Sequence, residues 1–157
     1  MQLKDHQIDT LRLLAQYEET IGSLYQLYSH KFPAEKEFWE GLFKDESDHA
    51  TWIKKFSGSI EEGQAYFQEK RFNIPAIESN INYVKEKYRE AEKGNIPLIK
   101  AVALALDLEK SLLESKYYEV FNADLFEFKN LLQKLTDATK IHAQKVEVML
   151  NKYRAKE

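Results

Sequence analysis

The six residues from Asp45 to Ala50 read Asp-Glu-Ser-Asp-His-Ala, and they place Glu46 three residues before His49. On an α-helix, residues three apart lie on nearly the same side, so both side chains can reach one point. The surrounding apolar residues recur at helical spacing, and the pair falls within their stripe: Trp39, Leu42, Phe43, Ala50, Ile53 and Phe56. A glutamate that faces a protein core is unusual unless it is paired or binds a metal. The segment therefore predicts a buried helix, from about Ala34 to Phe56, with a polar site inside its apolar face.

The composition predicts one soluble globular domain spanning residues 1–157, because 43% of the residues are hydrophobic and 31% are charged. A net charge of −3, with acids and bases interspersed, favours neither a nucleic acid nor a membrane surface as partner. The absence of cysteine excludes disulfides, zinc ribbons, thiolate iron–sulfur clusters and cysteine nucleophiles. The first fifteen residues carry Asp5, Asp9 and Arg12, and no apolar run approaches the length of a membrane span. We therefore expect neither a signal peptide nor a membrane segment, and a cytoplasmic location.

Hydrophobic periodicity predicts an all-α chain with four long helices, and the low content of five glycines and three prolines agrees with it. The predicted helices A to D cover about residues 5–31, 34–56, 97–121 and 125–154. Phe32-Pro33 separates the first two, because proline disfavours a helical residue before it. Such short connections predict two antiparallel hairpins, about 5–56 and 97–154.

A crossover of about residues 57–96 joins the two hairpins. Ser57-Gly58-Ser59 is the predicted end of helix B, and a short extra helix is predicted after Pro75, where apolar residues recur up to Gly94. Its stripe is formed by Ile77, Ile81, Val84, Tyr88 and Ala91. Residues 57–76 fit either a short helix or an ordered loop. Between helices C and D, residues 122–124 predict a turn, with Asp124 and Glu127 as a capping pair.

Polar residues interrupt the apolar stripe of every long helix near its middle. Glu18 follows Leu14 by four residues on helix A, and Glu109 follows Ala105 by four on helix C. Thr139 and His142 interrupt helix D at the same three-residue spacing as Glu46 and His49. Carboxylates and imidazoles without sulfur suit iron or manganese, and also zinc. In helical bundles, a Glu from each of two helices and a Glu-x-x-His from each of the other two build a two-metal site.

The chain resembles rubrerythrin-like members of the ferritin-like, di-iron carboxylate superfamily that lack a rubredoxin domain. The resemblance is carried by four short segments in the same order and spacing: Glu18–Tyr25 (EETIGSLY), Asp45–Ala50 (DESDHA), Ala105–Ser111 (ALDLEKS) and Asp137–His142 (DATKIH). It implies a ferritin-like four-helix bundle with a long crossover between helices B and C. It also implies an iron oxidoreductase, a peroxidase or iron oxidase, whose substrate is peroxide or dioxygen.

The resemblance further implies a set of metal ligands, with Glu46 as the bridge between two ions: Glu18, Glu46, His49, Glu109 and His142. Thr139 stands where the family has a glutamate. Two ferrous ions carry four positive charges, whereas three glutamates supply three negative charges. The sequence therefore leaves open whether one or two ions bind, and whether the metal is iron, manganese or zinc. The lack of cysteine removes the rubredoxin centre, which leaves the electron donor undefined. A homodimer is also implied.

A second interpretation remains open at this stage. Buried glutamates and histidines are more often hydrogen-bonded core residues than ligands. On that interpretation the chain is a degenerate, metal-free four-helix bundle with a structural or protein-interaction role.

Overall fold

The computed structural model describes residues 3–63, 74–115 and 126–156, which contain helices and no strand. Five α-helices follow one another: α1 (Leu3–Lys31), α2 (Lys36–Glu61), α3 (Ile74–Lys93), α4 (Leu98–Ser115) and α5 (Phe126–Arg154). A single 3₁₀ turn, Pro33–Glu35, precedes α2. None of the helices in these ranges has the length and apolarity required to cross a bilayer. The all-α prediction is confirmed for the described residues.

The helices pack through the apolar stripes that the sequence predicted. α1 contacts α2 along most of its length, and it also contacts α3, while α4 packs on α5 and α5 on α2. The hydroxyl of Tyr153 donates to Glu35, which immediately precedes α2, and His142 pairs with Asp45, ten residues later in the chain. The later residue of α5 thus contacts the earlier of these two positions, so α5 runs antiparallel to α2. The core formed between the helices is built mainly of large side chains from α1 and α2, including Leu11, Ile21, Leu24, Tyr25, Tyr28, Trp39, Leu42, Ile53 and Phe56.

Three predicted helix boundaries were wrong. α2 does not end at Ser57-Gly58-Ser59 but continues to Glu61, because buried Ile60 extends the stripe and the Ser59 hydroxyl donates to the Lys55 carbonyl. It ends where Gly63 adopts a φ of +76°, a left-handed conformation that glycine tolerates best.

The other two corrections concern prolines. The first turn predicted for helix B is the 3₁₀ turn, in which Glu35 N–H donates to the Phe32 carbonyl. The extra helix α3 begins at Ile74, before Pro75, because proline is accepted in the first turn of a helix. It has 20 residues and is therefore not short. Its predicted stripe is confirmed, since Ile77, Ile81, Val84 and Ala91 are buried.

Several predictions fall outside the described residues. These are the structure of residues 64–73, the end of helix C at Phe121, the turn at 122–124 and the Asp124–Glu127 capping pair.

Candidate metal centre

Glu18 and Glu46 meet where α1 and α2 come closest. Glu18 lies between Leu14 and Ile21 on the buried face of α1, and it is itself 1% exposed. One turn later, Gly22 faces α2, and a Cβ atom at that position would lie 3.3 Å from the Cβ of Glu46. The absence of a side chain at Gly22 thus allows the backbone of α2 to approach α1 beside Glu46, which is fully buried.

The other predicted site residues are buried as well. His49 lies one turn after Glu46 on the same face of α2, Glu109 lies inside α4, and His142 lies inside α5. All five predicted ligands are therefore inside the protein, and ligand atoms of Glu46, His49 and His142 lie within 4.8 Å of one another. The structure places Glu18 and Glu109 on either side of these three, close to one histidine each.

Glu46 connects two sets of side chains through its two carboxylate oxygens. Its Oε2 lies 3.4 Å from Nδ1 of His49, which is also 3.7 Å from Oε2 of Glu18. Its Oε1 lies 3.0 Å from Nδ1 of His142, which is also 3.5 Å from Oε1 of Glu109. The two imidazole rings lie 5.2 Å apart between their centroids, tilted by 30°. We refer to these five residues as the acid–imidazole cluster.

Five polar atoms of this cluster are buried without a hydrogen-bond partner in the described part of the protein. They are both carboxylate oxygens of Glu18, Oε2 of Glu46, Oε2 of Glu109 and Nδ1 of His49. Buried polar atoms of native proteins are nearly always hydrogen-bonded, and an exception commonly marks a functional group or a bound ion. Carboxylate oxygens and imidazole nitrogens are also the donor atoms that transition metals prefer in sites without sulfur. The cluster has both the geometry and the chemistry to hold a metal ion.

Without a metal, protons balance much of the negative charge. Burial raises the pKa of Glu18 well above its usual range, and the nearby carboxylate of Glu46 raises it further. Burial lowers the pKa of His49, but its contacts with Glu18 and Glu46 outweigh that effect and raise the pKa to about 10. His142 responds in the same way to Glu109 and Glu46, with a pKa of about 11. At neutral pH, both histidines of the cluster are therefore imidazolium rings, each held between two glutamates.

Thr139 occupies the position where the family pattern has a fourth glutamate. It is fully buried, and its hydroxyl donates to the carbonyl of Leu135, one turn earlier on α5, at 2.9 Å. This bond uses the only proton that the side chain can donate. Thr139 adds no charge to the cluster, and its only donor proton is committed to its own helix.

Two polar partners of the cluster were not predicted as site residues. Asp45 Oδ2 accepts a hydrogen bond from Nε2 of the protonated His142 at 2.8 Å, and the Tyr25 hydroxyl donates to Oε1 of Glu109 at 2.9 Å. Asp45 had a sequence signal, because it stands beside Glu46 in the opening motif. Tyr25 looked like one more packing aromatic on α1. A carboxylate behind an imidazole fixes the orientation of the ring, a common arrangement around histidines that bind metals.

A narrow cleft of about 140 Å³ connects the surface to the cluster between α2 and α5. Asp45, Asp48, His49 and Trp52 line it from α2, and Ala138, Ile141 and His142 line it from α5. Two larger clefts, of about 390 and 420 Å³, involve none of the five cluster residues. The cleft is large enough for water-sized molecules and small ions, but it is too small for a large organic substrate.

Comparison of the chain with protein-family models, with curated proteins and with solved structures found no match. The interpretation of the cluster therefore depends on its geometry and its chemistry.

Proposed function

We propose that the acid–imidazole cluster is a transition-metal site and that the chain is a ferritin-like, non-haem iron oxidoreductase. The observation that carries the proposal is the group of buried, unpartnered oxygen and nitrogen atoms around Glu46. Three glutamates and two histidines, with no cysteine in the chain, form a donor set that iron accepts and that manganese or zinc also accepts. The ferritin-like assignment is supported by the residue pattern and by the long connection between α2 and α4.

The protein residues would divide the work at such a site. Glu46, His49 and His142 would bind the metal, with Glu18 and Glu109 adjacent, and Asp45 would hold the ring of His142 in place. Bound iron would supply an open coordination position and the electrons needed to reduce peroxide or dioxygen. The cleft beside His49 and His142 would admit these small substrates. Reduction of hydrogen peroxide to two waters consumes two electrons and two protons, so the reaction needs a separate electron donor as partner.

One observation favours the metal-free alternative. The imidazolium ring of His142 donates hydrogen bonds from both of its nitrogens, to Glu46 and to Asp45, so protein groups alone can hold this ring. Each imidazolium ring also lies between two glutamates, so the contacts within the cluster stabilise the two histidines. A helical bundle that uses this cluster only as a buried polar network would show the same features.

The experiment that separates the two functions is metal analysis of protein purified without chelator, followed by reconstitution with ferrous, manganous or zinc ions. We expect at least one ion per chain after reconstitution, and iron-dependent consumption of hydrogen peroxide when a chemical reductant is supplied. The matched control is Glu46→Gln, which keeps the shape of the side chain and removes the charge shared by both sets. Absence of bound metal after loading would support the metal-free bundle and contradict the proposal.

A further inference from the structure

The two sets of side chains joined by Glu46 differ in how far the protein itself satisfies them. We call Glu18, His49 and Oε2 of Glu46 the open half of the cluster, and Glu109, His142 and Oε1 of Glu46 the closed half. Both halves contain one glutamate, one histidine and one oxygen of Glu46, and both are fully buried. A symmetric pair of metal sites would require both halves to be equally free.

The open half contains four of the five unpartnered atoms. Within the part of the chain that the structure describes, both oxygens of Glu18, Oε2 of Glu46 and Nδ1 of His49 make no hydrogen bond. They nevertheless lie close together, at 3.7 Å between Glu18 and His49 and 3.4 Å between His49 and Glu46. An ion placed among them would replace no hydrogen bond of the protein.

The closed half is almost completely hydrogen-bonded. Nδ1 of His142 donates to Glu46 at 3.0 Å, and Nε2 donates to Asp45 at 2.8 Å. Oε1 of Glu109 accepts from Tyr25 at 2.9 Å, so Oε2 is the one polar atom of this half without a partner among residues 3–63, 74–115 and 126–156. Thr139, where a further carboxylate would belong, donates to its own helix. An ion in this half has to displace hydrogen bonds that the protein already makes, and a buried polar group that loses its partner is costly.

We propose that the cluster binds one divalent ion tightly in the open half, through Glu18, Glu46 and His49, and a second ion in the closed half much more weakly. This inference rests on the proposed function, because it requires that the cluster binds metal. His142 is close enough to Glu46 and His49 to complete a three-residue group with them. Its Nδ1, however, is already committed to Glu46, whereas the oxygens of Glu18 are free.

The test is an anaerobic calorimetric titration of the full chain with ferrous iron, combined with elemental analysis of the product. Glu18→Gln and Glu109→Gln form a matched pair, since each removes one carboxylate and keeps the shape of the side chain. The wild type should bind one ion tightly. Glu18→Gln should weaken the binding of that ion by about a hundredfold or more. This loss is at or above the largest one expected when a residue that only supports a ligand is removed. Glu109→Gln should weaken its binding by less than about tenfold, below the effect of losing a residue that supports a ligand, because Glu109 lies beside His142 in the closed half.

Each result has a defined meaning. Two ions of equal affinity in the wild type, or equal weakening by the two variants, would overturn the inference and leave the metal-binding function intact. No binding by the wild type would overturn both. Tyr25→Phe provides a test that removes no carboxylate, because it frees Oε1 of Glu109. It should strengthen the binding of the second ion by about tenfold, which corresponds to removing one competing hydrogen bond to a charged group. The binding of the first ion should be unchanged. An unchanged second ion in a folded Tyr25→Phe protein would contradict the closed-half argument.

Discussion

Two buried clusters lie along α1 and α2, and they are stabilised in different ways. The aromatic cluster, at the end where α1 meets α2, is formed by Tyr25, Tyr28, Phe32, Phe38 and Trp39, with ring centroids 4.9 to 6.5 Å apart around Trp39. The acid–imidazole cluster lies further along the same two helices. The Tyr28 hydroxyl and Trp39 Nε1 also lack hydrogen-bond partners among the described residues, so each cluster contains unpartnered polar atoms.

The difference lies in the charge of those atoms. An unpartnered neutral donor costs about 1–3 kcal/mol, which the burial of large aromatic rings can offset. Carboxylates and imidazolium groups cost far more to remove from water unless they are paired or bind a metal. The aromatic cluster therefore contributes stability by packing, whereas the acid–imidazole cluster depends on contacts between charged groups, and its remaining unpartnered atoms could hold a metal ion.

The largest expected effect breaks the aromatic cluster. Trp39→Ala should lower the free energy of unfolding by about 3–5 kcal/mol, because it removes a fully buried indole from the centre of the cluster. Trp39→Phe is the control, since it keeps a ring and removes the unpartnered N–H, and it should cost clearly less. Both variants should bind metal as the wild type does. Urea unfolding and a ferrous titration check these outcomes, and loss of metal binding in folded Trp39→Phe would show that the two clusters are not independent.

The next effect is the pH dependence of the metal-free protein. His49 and His142 have folded pKa values of about 10 and 11, above the ordinary value of 6.5, and the pKa of Glu18 is raised as well. The folded state therefore binds more protons than the unfolded state. The stability contributed by the two histidines is present below about pH 6.5 and is lost as the pH rises toward 10 and 11, whereas the contribution of Glu18 begins to be lost above about pH 4.5. Between about pH 6.5 and 8.5, we expect each histidine to account for about 2 kcal/mol of this loss.

The measurement is urea unfolding of chelator-treated protein at several pH values. His49→Gln should reduce the slope of stability against pH, whereas Trp39→Phe should leave the slope unchanged. Stability that stays constant or rises over this pH range would contradict the protonated state of the cluster.

A smaller effect is expected from completing the family pattern at Thr139. Thr139→Glu adds a buried carboxylate beside like charges, and it should destabilise the metal-free protein by about 1–2 kcal/mol. The same carboxylate should increase the rise in melting temperature on addition of ferrous iron, since a ligand that binds only the folded state stabilises it. Thr139→Val, which is similar in shape and has no hydroxyl, should leave the iron response at the wild-type level. If ferrous iron raises the melting temperature of Thr139→Glu no more than that of Thr139→Val, position 139 does not face the metal.

The smallest effect on stability is expected at the cleft. Ala138→Leu should fill the cleft between α2 and α5 and slow the binding of ferrous iron, while it changes the stability by less than about 0.5 kcal/mol. Trp52 lines the cleft, with its ring 5.3 Å from His49, so quenching of its fluorescence in stopped-flow mixing reports the rate. Lys140→Leu, at an exposed position of α5 outside the cleft, is the control. Equal rates in the two variants would show that ions reach the cluster by another route.

The sequence was most informative where periodicity and burial coincide. Glu18, Glu46, His49, Glu109 and His142 could be identified as buried because each interrupts an apolar stripe. The helix end predicted at residues 57–59 is wrong, because serine and glycine favour a stop there whereas buried Ile60 continues the stripe of Ile53 and Phe56. Ser57-Gly58-Ser59 favours a helix end, but the burial of Ile60 favours a longer helix, and the burial determines where α2 ends.

The pairing between helices could not be derived from the sequence. Asp45 lies 97 positions before its partner His142, and Tyr25 lies 84 positions before Glu109. Asp45 stands beside Glu46 in the sequence, but nothing local indicates that it pairs with His142 or that Tyr25 pairs with Glu109. The difference between the open and closed halves depends on these two contacts, so it becomes visible only when the helices are packed together.

Anomalous diffraction from crystals of the iron-loaded protein tests the central claim most directly, because it locates the ion independently of any assay. The account predicts a strong peak between Glu18, Glu46 and His49, with a weaker peak or none beside Glu109 and His142. A loaded crystal with no peak inside the protein, or with iron only on surface carboxylates, would contradict the claim that the acid–imidazole cluster is a metal site.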